Sequence, residues 1–263
     1  MIMRNLMLST ISAIALIAGS LRGATLFDSV GFESPTYTLG SLDSQNGWIA
    51  DGTGQATVQN SVVENGSQAV RLSGATTTWH FPDLSYTPAS GEIVRVTSGI
   101  RFGSSTNGVK NFGYFLDAYN FSTARIGRVG LGISGGSPAI FATTIGGSGA
   151  GTYVLATGLS YDTFYDFQMD LKFATQKFDL YVNNVLIGAD LPFLTASVNV
   201  ADVDLQMSST AGATDVGCFD NYKVLTIVPE PGVFSLAALG GLTLTVARRR
   251  AARQKACSPY GTT

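Results

Sequence analysis

Carboxylates spaced to share one strand face are the first feature with chemical reach. Asp202-Val-Asp204 does this at a step of two, and Asp166 and Asp170 do it at a step of four. Two acids so placed are able to divide the roles of proton donor and proton acceptor. The same alternation has a simpler reading, and it is the preferred one at this level. Val203, Leu205 and Met207 supply the dry side of an amphipathic strand, and Asp202, Asp204, Gln206 and Ser208 supply its solvated side. Other catalytic material is thin. His80 is the one histidine, so a Ser-His-Asp triad would have to use it. Within Thr76-Thr-Thr-Trp-His-Phe81 it reads instead as an ordinary sheet residue. Cys218 is the only cysteine outside the C-terminal tail and reads as a small core residue. No catalytic residue is assigned, and the chain is expected not to be an enzyme.

Binding chemistry has more candidates. Trp48, Trp79, Tyr114, Tyr119 and Tyr161 are aromatics able to stack on flat apolar faces such as those of sugar rings. Any one of them also suits a core. Asp51-Gly-Thr-Gly54 reads as a loop with oxygen ligands for a hard cation, and Asp28 and Asp220 lie on segments that the pattern brings together. Calcium is the candidate cofactor there. The glycine-rich Gly146 to Gly151 lacks the following Lys-Ser/Thr of a phosphate loop and reads as a flexible connection.

These residues need strands to hold them, and period-two alternation recurs along the body. Tyr165, Phe167, Met169, Leu171 and Phe173 form one side of a strand. Ala174-Thr175-Gln176 then reads as a hairpin turn into Phe178, Leu180 and Val182, and Asn183-Asn184 suits the positive φ of a second turn. Val94, Val96, Ile100 and Phe102 behave alike, and further candidates are 57–63, 68–73, 76–81, 111–119, 125–133, 138–144, 152–156 and 216–227. About a dozen such strands predict an all-β fold, an antiparallel β-sandwich of jelly-roll type.

The body is acidic: between residues 25 and 228 nine basic residues face seventeen acidic ones. A nucleic-acid partner is therefore not expected. The ends differ. Arg4, the apolar run Leu6 to Ala18 and the small residues up to Ala24 form a signal-peptide pattern, which implies export through the Sec translocon. Near the C-terminus, Val228-Pro229-Glu230-Pro231 precedes the apolar run Val233 to Ala247 and then Arg248, Arg249 and Arg250. As a helix that run is shorter than a roughly 30 Å hydrocarbon core. The adjoining arginines fit a cytoplasmic stop. The expected organisation is a signal helix over 1–24, a sandwich over 25–227, a sorting and anchor segment with a transmembrane helix over 228–250, and a basic cytoplasmic tail over 251–263.

The order of motif, apolar segment and arginines resembles the PEP-CTERM sorting signal, also called the ice-binding protein C-terminal domain. The resemblance implies that Pro229, Glu230 and Pro231 are read by an exosortase-type processing enzyme of a Gram-negative bacterium. It also implies that Arg248, Arg249 and Arg250 stop the segment in the membrane. The apolar segment is shorter and the tail longer than the family pattern. A second resemblance covers the body. Phe164 to Phe173, the turn, Lys177 to Asn183 and the closing Cys218-Phe-Asp-Asn-Tyr-Lys-Val224 are similar to laminin-G-like, concanavalin-type jelly rolls. Glycoside hydrolases of that fold carry a Glu-x-Asp-x-x-Glu strand, absent here, where Glu33, Glu64 and Glu92 lie apart. The resulting expectation is a non-catalytic protein of the cell surface or extracellular matrix, structural or adhesive, with exopolysaccharide as its candidate ligand. The alternative is a carbohydrate-active enzyme, a glycan hydrolase or lyase, on a concanavalin-like fold.

Overall fold

Alternating apolar and polar residues become strands wherever the sequence pattern placed them. The computed structural model describes residues 23–52, 55–74, 77–104, 113–146, 149–208 and 216–228. In chain order the strands are β1 (Thr25–Asp28), β2 (Gly40–Ser41), β3 (Trp48–Gly52), β4 (Gln55–Gln59), β5 (Ala69–Ser73), β6 (Thr78–Pro82), β7 (Ile93–Phe102) and β8 (Gly113–Tyr119). There follow β9 (Arg125–Ser134), β10 (Ser137–Gly146), β11 (Gly149–Ala156), β12 (Phe164–Lys172), β13 (Lys177–Val182), β14 (Val185–Pro192), β15 (Asp202–Ser208) and β16 (Val216–Ile227).

They form two sheets. The first has the order β14-β13-β12-β7-β16-β5-β4-β2, with β1 also paired to β16; the second has the order β11-β10-β9-β8-β15-β6-β3. All strand pairings are antiparallel. The chain is thus an all-β antiparallel sandwich of the jelly-roll kind. Val94, Val96, Phe167, Met169, Phe178 and Leu180 of the first sheet pack against Tyr114, Leu116, Val129, Val203, Leu205 and Met207 of the second in one core. Phe102 and Tyr114 meet edge to face across it, ring centroids 4.9 Å apart.

Local chemistry sets the turns. Lys172 pairs with Lys177 around the hairpin, and Asn183 and Asn184 take φ of 49° and 62° before β14, the geometry that asparagine tolerates best after glycine. β1 lies beside β16, so the chain's opening and closing strands meet, as the concanavalin-type resemblance implied. One expectation is corrected. Asp51 is not in a loop: it belongs to β3 and faces Trp79 of β6 in register. The expected signal helix, the Pro229-Glu230-Pro231 motif, the transmembrane helix and Arg248, Arg249 and Arg250 lie outside the described residues. Among the described residues no helix is long and apolar enough to cross a membrane.

The outer face of the first sheet carries a pH-sensitive clamp. Gly99 leaves the room that the Glu64 carboxyl occupies. Asn221 Nδ2 donates to Glu64 at 3.1 Å, and the N–H groups of Glu64 and Asn65 donate to Asp220 at 3.0 and 3.2 Å. Burial, together with the charges of Asp166 and Asp220, pushes the Glu64 carboxyl up to about 7 despite the Asn221 bond. A raised folded-state value means that the stabilisation is full below the unfolded value of 4.5 and is lost as pH rises through about 7. Discounted for solvent screening, the loss is about 1–2 kcal/mol, or about 3–6 °C. Glu64→Gln is expected to flatten the fall in Tm between pH 5 and 8, measured by thermal denaturation. An unchanged slope would remove Glu64 as its cause.

Candidate functional site

β15 runs between β8 and β6, and its alternation decides what each face carries. Val203, Leu205 and Met207 enter the core, so Asp202, Asp204 and Gln206 point to the opposite face. Register then gathers that face. Asp202 stands opposite Tyr119, Asp204 opposite Asp117 and Gln206 opposite Phe115 on β8; Gln206 stands opposite Trp79 on β6, and Trp79 opposite Asp51 on β3. A pocket of about 250 Å³ opens there, lined by Asp51, Trp79, Phe81, Tyr119, Thr123, Asp202 and Asp204.

The carboxyl pair is not the solvated strand face expected from the sequence. Asp204 is only 4% exposed. Burial, then the negative charges of Asp202 and Asp117, hold its carboxyl well above the ordinary range. Asp202 is pushed up to about 6, chiefly by burial and further by Asp83 and Asp117, while the hydrogen bond it accepts from Asp204 works the other way. The pair therefore shares a proton at neutral pH, with Asp204 as donor and Asp202 as acceptor.

Asp117 is fully buried beside them and is neutralised by two arginines. Arg125 Nε donates to its Oδ1 at 2.6 Å, and Arg128 Nη2 donates to its Oδ2 at 2.6 Å. Arg125 Nη2 also donates to the Tyr119 hydroxyl at 2.9 Å, which itself donates to Asp117 at 3.1 Å. Burial, with the Asp117 charge, pushes that phenol up to about 12, so it stays protonated. The Arg128 guanidinium lies over the Phe115 ring, 4.8 Å from its centroid. Each cation is thus held by groups of the protein itself. Three buried polar atoms of this face, Asp204 Oδ1, Gln206 Oε1 and Trp79 Nε1, have no hydrogen-bond partner among the described residues. Buried polar atoms are nearly always paired, so three orphans around one pocket point to a polar guest.

The aromatic candidates divide between site and core. Trp79 and Tyr119 line the pocket. Trp48 and Tyr114 are core residues: Trp48 Nε1 donates to the Tyr37 hydroxyl at 3.0 Å, and Tyr114 packs on Phe102. Tyr161 packs on Phe102 as well. Of the cation candidates only Asp51 reaches the pocket. Asp28 pairs with Lys223 at 2.8 Å, and Asp220 accepts the backbone N–H groups of the clamp. Among the described residues no group of three or more His, Cys, Asp and Glu side chains is placed to hold a metal ion. Asp170, also read as solvated, is buried and takes Arg95 with two bonds of 2.7 Å. His80 points away from Trp79 and Phe81 along β6, and burial pushes its imidazole down to about 4.

No protein-family model matches the chain, and no curated protein does. Solved structures do. A sialidase shares the fold at a TM-score of 0.52 and 14% identity over 73% of this chain, which spans 18% of the sialidase. A carbohydrate esterase from Shiga toxin-encoding bacteriophage phi24B has a TM-score of 0.52 at 8% identity, covering 79% of this chain and 100% of the esterase. An endo-β-1,4-glucuronan lyase from the fungus Trichoderma reesei has a TM-score of 0.48 at 11% identity, over 73% of this chain and 94% of the lyase. Identities this low establish the fold alone. The expectation of a non-catalytic structural or adhesive protein is corrected at this point. These solved structures are carbohydrate-active enzymes, and the carboxyl pair read as surface polarity is buried in a pocket.

Proposed function

We propose that the chain is a carbohydrate-active enzyme that cleaves a glycan by acid–base chemistry between Asp202 and Asp204. The observation that carries this reading is the buried carboxyl pair, one member held protonated, in a pocket with aromatic walls. The enzymes of known structure that share the fold support it as analogy. Trp79, Phe81 and Tyr119 provide surfaces for sugar rings. Asp204 donates its proton to the bridging oxygen as the bond from that oxygen to the anomeric carbon breaks. Water attacks the same carbon and gives its proton to Asp202. The proton then returns from Asp202 to Asp204, and the pair is restored.

The pH dependence follows in sign. Activity rises as Asp202 loses its proton near pH 6 and falls on the alkaline side as Asp204 loses its own. Reducing ends released per minute across pH 4 to 10 are expected to trace a bell, and Asp202→Asn is expected to abolish its acid limb and lower kcat about 100-fold or more. An acid limb that persists in Asp202→Asn would assign the base elsewhere.

We also propose that the termini deliver this enzyme through the Sec translocon to an exosortase. The order of the Pro229-Glu230-Pro231 motif, apolar segment and Arg248, Arg249 and Arg250 supports this. Mass spectrometry of the mature C-terminus from a native host tests it, and an intact 228–263 segment on the surface fraction would defeat it.

A further inference from the structure

Gln206 and Trp79 stand side by side in register where β15 meets β6, on the face that carries Asp204. Gln206 is 1% exposed, yet its Oε1 has no donor among the described residues, and the Trp79 indole N–H has no acceptor. Leaving such a buried group unpaired costs on the order of 1–3 kcal/mol, so a strand sequence selected for stability alone would carry an apolar residue at 206. An orphan acceptor next to an orphan donor is complementary to a hydroxyl, which gives one hydrogen bond and takes another. Both orphans are uncharged, and Phe115 lies across from Gln206 on the other side.

The charges nearby point the same way. The described residues lining the pocket include Asp51, Asp202 and Asp204 and no arginine, lysine or histidine. Arg125 and Arg128 spend their charge on Asp117. A uronate polymer would bring a carboxylate into a site already rich in them. Cleavage of a uronate by elimination also needs a strong base for the C5 proton, whereas Asp202 is a weak one and the Tyr119 phenol stays protonated.

We infer that Gln206 and Trp79 form a hydroxyl-reading subsite and that the substrate is an uncharged glycan, cleaved by hydrolysis. This rests on the acid–base reading above and names its substrate class. In the step, water is consumed, the glycosidic C–O bond breaks, and each fragment gains a hydroxyl, with no oxidant or metal required.

The full chain is incubated with neutral polymers (xylan, mannan, mixed-linkage glucan) and with anionic ones (alginate, polyglucuronate). New reducing ends and the ultraviolet absorbance of an unsaturated uronate are followed together. The expected result is reducing ends from a neutral polymer, without that absorbance. On the same polymer Trp79→Phe, which keeps a ring but deletes the donor, is expected to raise KM about 10-fold. Gln206→Leu is expected to lower kcat/KM about 10- to 100-fold while raising Tm, because it removes a buried orphan. Unsaturated uronate from alginate or polyglucuronate would overturn the uncharged substrate and leave the acid–base reading standing. Lowered Tm with unchanged kinetics in Gln206→Leu would make the residue structural and overturn the subsite. No product from either class would remove the acid–base reading and the inference with it.

Discussion

Asp204→Asn is expected to lower kcat about 1000-fold with no loss of folding stability. The substitution keeps the shape of the side chain and deletes the one proton that the mechanism moves. General acid catalysis by a placed side chain contributes about 100- to 10000-fold, and Asp204 is the only described carboxyl of the pocket held well above the ordinary range. Its stability cost is small because the folded protein already holds Asp204 in its neutral form, and an amide is neutral too. At pH 8 the variant is expected to melt no lower than the parent, since Asp202 loses a negative neighbour whenever Asp204 would have ionised. An alanine would confuse the comparison by opening a cavity. Turnover and thermal denaturation measured on one preparation separate the two effects. A variant that melts like the parent and also turns over like it would exclude Asp204 as the acid.

Asp117→Ala has the largest expected effect on the fold. The carboxylate is fully buried and each oxygen is engaged by an arginine. Removing one partner of a buried ion group leaves the other charges uncompensated, at a cost of about 3–5 kcal/mol. Arg128 is nearly buried and stacks on Phe115, so it has little freedom to find solvent; Arg125 is more exposed and relaxes more easily. Urea denaturation at pH 7 is expected to show that loss as a lower midpoint with an unchanged slope. Removing Arg128 as well, as Asp117→Leu with Arg128→Met, is expected to recover part of it, because packed apolar residues replace buried ion groups with little penalty. A loss under about 1 kcal/mol in Asp117→Ala would show that Asp117 is not the anchor of this face.

The sandwich was legible because its determinants are local. Alternation in 164–173 and 177–182, the Ala174-Thr175-Gln176 turn and the asparagine pair before β14 each act over a few residues, and each appears where the pattern put it. The site was less legible because it depends on which sheet face is covered. Asp202-Val-Asp204 announces two faces of a strand; nothing within β15 says that the polar one is buried against β8 and β6. That information sits in Trp79, Asp117 and Tyr119, which are 123, 85 and 83 positions before Asp202 in the chain. Trp48 and Tyr114 were ambiguous for the same reason, since an aromatic on an alternating strand suits either face until the partner sheet is placed. Asp51 was misread as a loop residue because Gly52 and Gly54 look like turn formers, whereas β6 supplies the pairing that makes β3 a strand.

The proton shared by Asp202 and Asp204 is the physical claim on which the proposed chemistry stands, and carboxyl-carbon NMR of aspartate-labelled protein tests it without any substrate. The account expects one aspartate carboxyl to remain protonated at pH 7 and to vanish from the spectrum in Asp204→Asn. It expects a second to titrate near pH 6 and to move in that variant. Titration of both carboxyls in the ordinary range around pH 4 would contradict the account, since neither would then hold a proton to give at neutral pH.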